Sequence, residues 1–82
     1  FIQPTGAEVL IVGMGRVGLG AYTDLHKDFG DKVWGVEVEA VRAACLVEGQ
    51  HRVLAGDADD IEFWDNMDHR NIKLIMLAVP SI

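Results

Sequence analysis

The feature that most restricts this chain is a run of spaced glycines, Gly13-Met14-Gly15-Arg16-Val17-Gly18, set between an apolar stretch and an amphipathic one. Residues 8–12, rich in Val, Leu and Ile, read as a strand buried on both faces of a parallel sheet. From Arg16 the apolar residues Val17, Ala21, Leu25 and Phe29 recur every fourth position, which predicts a helix that Gly30 closes with a left-handed cap. A glycine turn joining such a strand to such a helix fits the spacing G-x-G-x-x-G. The three glycines then serve, in order, a tight turn, close approach of backbone to a ligand, and close packing of helix on strand.

The rest of the chain continues the alternation. The pattern predicts a strand over 32–38, a helix over 39–48 closed by Gly49, and a short strand over 52–55 running into Gly56-Asp57. Asp59 and Glu62 form a capping-box-like pair ahead of a helix over 59–67, and a fourth strand over 72–79 is broken by Pro80. Strands and helices alternating at this spacing give an α/β, Rossmann-type fold: a parallel sheet of order 3-2-1-4, helices on both faces, truncated after the fourth strand. Residues 1–82 read as one domain fragment, with residues 1–6 a turn-prone linker, and the start at Phe1 reads as a cut from a longer polypeptide.

Composition narrows the partners. Seven Lys and Arg against thirteen Asp and Glu leave a formal charge of −6, the wrong sign for nucleic acid as a main partner. The longest apolar run, over 74–79, is far shorter than the roughly 20 residues needed to cross a bilayer. One cysteine, Cys45, allows no internal disulfide and fits a cytoplasmic setting; on the second helix it reads as a small buried apolar residue. Trp34, Trp64, Met67 and Met76 read as core or interface side chains.

The chemistry gathers at the predicted carboxyl ends of the strands. The first-turn N–H groups of a helix starting at Arg16 face the place where a pyrophosphate would lie, and Arg16 can add a charge-assisted contact. Glu37, about 20 residues beyond the glycines, can accept hydrogen bonds from an adenosine ribose and repel a 2′-phosphate, which favours NAD(H) over NADP(H). Glu39 shares its strand face but reads as the start of the next helix, and Arg42 reads as a surface residue rather than a 2′-phosphate ligand. Asp57 either meets an adenine edge or caps the following helix. The cofactor-binding set is therefore Gly13, Met14, Gly15, Arg16, Val17, Gly18, Glu37, Val38, Gly56, Asp57, Ala58 and Ala78. His26, His51 and His69 are widely spaced and no Ser or Cys stands in a nucleophile setting, so no catalytic residue is assigned. The acids from Asp57 to Asp68 read as a solvated helix face rather than a metal site.

With the glycine run, Glu37 and Glu39 after the second strand, and Gly56-Asp57-Ala58 after the third, the chain resembles the TrkA-N family, the RCK or KTN regulatory domains of potassium channels and transporters. The resemblance spans about residues 7–80, with Glu standing at 37 and 39 where that family has Asp; the glycine loop is most similar to that of Kef-type potassium/proton exchangers. It implies a sensor of NAD(H), AMP, ADP or ATP that makes and breaks no bond. It also implies a homo-oligomer working with a membrane transport domain at the cytoplasmic face of the inner membrane. The rival readings are the cofactor half of an NAD-dependent dehydrogenase and an S-adenosylmethionine binder.

Overall fold

The structure, a computed structural model, describes residues 3–78. It contains β1 (Val9–Val12), α1 (Arg16–Phe29) with a single 3-10 turn after it, β2 (Val33–Glu37), α2 (Ala40–Glu48), β3 (Val53–Ala55), α3 (Ile61–Asn66) and β4 (Leu74–Leu77). The four strands form one parallel sheet of order β3-β2-β1-β4, as the alternation predicts. In register, Val9 lies between Val33 and Leu74, and Gly35 opposes Val53.

β1 is apolar throughout because it lies at the middle of the sheet with both faces covered, and its four residues are all buried. Leu10 and Val12 join Trp34, Val36, Leu54, Phe63 and Met67 on the face that carries α3. Val9 and Ile11 join Met14, Tyr22, Val33, Ala43 and Val53 on the face that carries α1 and α2. Gly35 on β2 leaves the room that the Met14 side chain fills: a Cβ there would meet the Met14 sulfur at 2.5 Å. At the strand starts, the Glu8 carboxylate pairs with Lys32 of the turn before β2 and with Lys73 ahead of β4, each at 3.4 Å.

Several boundaries and burials depart from the sequence pattern. Residues 3–6 are docked rather than free: Pro4 is buried, and the Gln3 amide donates to the Asn66 carbonyl at 2.8 Å and accepts the Asp68 N–H at 2.7 Å. The core face of α1 runs through Gly18 and Tyr22, leaving Val17 72% exposed and Phe29 largely exposed. α3 begins at Ile61, with Asp60 as the cap accepting the Glu62 N–H, because Asp59 belongs to a turn closed by the Asp57 carboxylate. Cys45 is exposed on the outer side of α2. β4 is narrower than the predicted strand; Val79 and Pro80 lie outside the described residues.

Candidate functional site

The turn after β1 rises to the carboxyl ends of the strands, and its three glycines differ in what requires them. Gly13 has φ +95°, a conformation that disfavours any side chain, and its N–H continues the sheet by donating to Val36 at 2.8 Å. Gly18 is required by packing, because a Cβ there would run into the Gly13 carbonyl. Gly15, the residue capping α1, has neither reason. Its φ is −75°, and a Cβ would find only the Arg42 Nη1, 3.9 Å away. α1 therefore begins with no side-chain cap and no acid in its first turn, so its leading N–H groups and dipole face an open space.

That space is a groove of about 690 Å³ bounded by Gly13, Gly15, Arg16 and Val17 on one side, Glu37, Val38 and Arg42 on another, and Leu77 and Ala78 on the third. A smaller hollow of about 220 Å³ adjoins it, sharing Gly13, Glu37 and Val38 and extending past Val36 to Gly56, Asp57, Ala58 and Asp59. Ten of the twelve residues assigned from sequence thus border one continuous depression across the ends of β4, β1, β2 and β3. The other two lie beneath it. Met14 is 1% exposed with its side chain in the core, and Gly18 is buried against the turn.

Glu37 is the organising group. It closes β2 and is 3% exposed. Its Oε1 accepts the Met14 N–H at 3.0 Å and its Oε2 accepts the Glu39 N–H at 2.9 Å, so one carboxylate ties the glycine turn to the entry of α2. Arg42 Nη1 approaches Oε1 at 3.5 Å. Burial pushes this carboxyl up, but the two backbone N–H groups and the Arg42 cation outweigh it and hold its pKa below the ordinary value. Two orienting N–H donors leave acceptor capacity on the groove side, the arrangement a ribose diol can use. Glu39 instead caps α2, accepting the Val41 and Arg42 N–H groups at 3.1 Å, and stays exposed. Asp57 is exposed beside the hollow, with Oδ1 accepting the Asp59 N–H at 2.9 Å. It serves the turn and still faces the space an adenine would enter.

Arg42, read from the sequence as a surface residue, is exposed as expected but also borders the groove, outside the assigned set. The signal for it is its place one turn after the Glu39 cap, which swings its side chain back toward Glu37. A second constellation appears only in three dimensions: His26 stacks on Tyr22 at 5.9 Å and His51 lies across the same ring at 5.3 Å, while the Tyr22 hydroxyl accepts the Arg52 N–H at 2.9 Å. This cluster adjoins the start of β3 and shares no residue with the groove. Among the described residues no group of three or more His, Cys, Asp or Glu could hold a metal ion, and no helix is long and apolar enough to cross a membrane. Compared with known families, the chain matches the model of the TrkA-N domain over residues 9–82. No curated protein matches it.

Proposed function

The chain belongs to the TrkA-N domain family, and from that premise we propose that it is a regulatory module whose groove binds NAD(H) or a related adenine nucleotide. TrkA-N domains are nucleotide-binding Rossmann-like domains found in potassium transport regulators. In this reading the pyrophosphate lies on the uncapped start of α1 beside Arg16, the adenosine ribose meets Glu37, and the adenine enters the hollow beside Gly56-Asp57-Ala58. Binding shifts the domain between conformations that a membrane-embedded potassium transporter or channel, at the cytoplasmic face, reads as on or off. The domain itself makes and breaks no bond.

The observation that carries this reading is Gly15. The chain's own backbone requires Gly13 and its own packing requires Gly18, but nothing among the described residues requires a glycine at 15. A missing side chain facing an open, donor-rich helix start is what close approach of a pyrophosphate needs. The test is Gly15→Val, followed by calorimetry with NADH, NAD, ATP, ADP and AMP. The parent is expected to bind NADH and the variant to lose it, with stability reduced by no more than a weakened helix cap, about 1 kcal/mol. A folded variant that binds NADH as the parent does places the ligand elsewhere.

A further inference from the structure

An acid at 37 would repel a 2′-phosphate if its carboxylate faced the ligand uncompensated. The structure shows a different electrostatic wall. Glu37 is 3% exposed and its charge is taken up by two backbone N–H groups, with Arg42 beside them. Among the described residues bordering the larger groove, Glu37 is the one acid, whereas Arg16 and Arg42 are both exposed cations.

Arg42 is placed for more than neutralising Glu37. The Glu39 cap fixes its backbone N–H at 3.1 Å, so the side chain leaves the first turn of α2 in a set direction. The guanidinium is reached by solvent, the side chain being 51% exposed, and its contact with Glu37 is loose at 3.5 Å. The same Nη1 lies 3.9 Å from where a Cβ of residue 15 would stand, so it spans the mouth of the groove between the ribose side and the phosphate side. Because Nη1 lies 3.5 Å from Glu37 Oε1, a ribose diol bonded to that carboxylate would stand beside the guanidinium. A planar fork of N–H donors with several donors unused suits a phosphate dianion there.

We propose that Arg42 is a specificity-determining residue of the groove, donating to a phosphate on the 2′ position of the adenosine ribose, so that 2′-phosphorylated dinucleotides of the NADP(H) class bind alongside NAD(H). The proposal rests on the dinucleotide reading above. It assigns to Arg42 a role that the acid at 37 alone argues against.

The experiment is calorimetric titration of the parent, Arg42→Ala and Arg42→Gln with NADH and NADPH, with thermal melts to confirm that each exposed substitution folds. The parent is expected to bind both dinucleotides with affinities within about tenfold of each other. Either variant weakens NADPH by about tenfold or more, the scale of a lost charge-assisted phosphate contact. NADH binding is weakened by less, so that the ratio of NADPH to NADH affinity falls several-fold, and this ratio is the readout. A parent that binds NADH but not NADPH overturns the role of Arg42 and leaves the dinucleotide reading standing. Equal losses for both ligands make Arg42 a positioning residue for the turn and also overturn it. A parent that binds neither dinucleotide removes the reading and the inference together.

Discussion

At Glu37 one side chain holds two loops, and its titration is therefore coupled to stability. The ordinary value for this carboxyl is 4.5, and the folded state lowers it. A group whose pKa is depressed on folding contributes fully above its unfolded value, and that contribution is lost as pH falls through the folded one. Glu37→Gln keeps the length but offers an N–H where one of the Met14 and Glu39 amides needs an acceptor. It is expected to cost about 1–3 kcal/mol at neutral pH, the range for a buried group left unsatisfied. Urea unfolding across a pH series checks this: the gap between parent and variant should be widest at neutral pH and narrow as pH falls below 4.5. A gap that stays constant with pH shows that the carboxylate's charge is not involved. At this scale the sequence is readable where a residue's role follows from spacing, as at Gly13 and Gly18. It is not readable where the role depends on which way a helix faces. Pattern reads Cys45 as a small buried residue and sets Val17 and Phe29 in one apolar row along α1, yet all three are exposed: the fourfold row drifts off the face that Gly18 and Tyr22 press onto the sheet, and Cys45 lies on the outer side of α2. Arg42 is hidden for the same reason, since its meeting with Glu37 depends on the pitch of α2.

Among the elements, α2 shows how a short helix is begun by an unusual cap. Glu39 accepts from both Val41 and Arg42, a role that Ser, Thr, Asp or Asn fills more often. Glu39→Ala is expected to destabilise the domain by about 0.5–2 kcal/mol, because two first-turn N–H groups lose their partner. It should leave NADH affinity within about twofold, since the orienting bond to Glu37 comes from the Glu39 backbone. Chemical denaturation paired with calorimetry separates the two effects, and a large loss of NADH affinity would mean that this side chain reaches the ligand after all. The order of elements and of strands is legible because apolar runs, glycine stops and capping acids repeat in step with the βαβ unit. The ends of α3 and β4 are less so. Four acids, Asp57, Asp59, Asp60 and Glu62, are all able to begin a helix, and only the three-dimensional turn at Asp57 selects Asp60.

In the whole molecule the β4 edge of the sheet is less covered than its middle. Leu74, Ile75 and Leu77 of β4 are about half exposed or more, on a strand paired only with β1 among the described strands. Such an apolar edge favours association. We therefore expect this chain to self-associate, with NADH shifting the equilibrium because the groove wall includes Leu77 and Ala78. Sedimentation velocity over a concentration series, with and without NADH, measures this, and Ile75→Lys should move the equilibrium toward monomer. A ligand-independent monomer at high micromolar concentration would sink the expectation. The same sheet order also governs when the chain can finish folding. β1 takes its first partner from β2, close behind it in the chain, but its other edge is matched only by β4, with Val9 facing Leu74. During synthesis the strand that carries the glycine turn is made early and completed late, so the groove takes shape only when β4 has left the ribosome, and until then the most apolar strand stands with one edge unsealed.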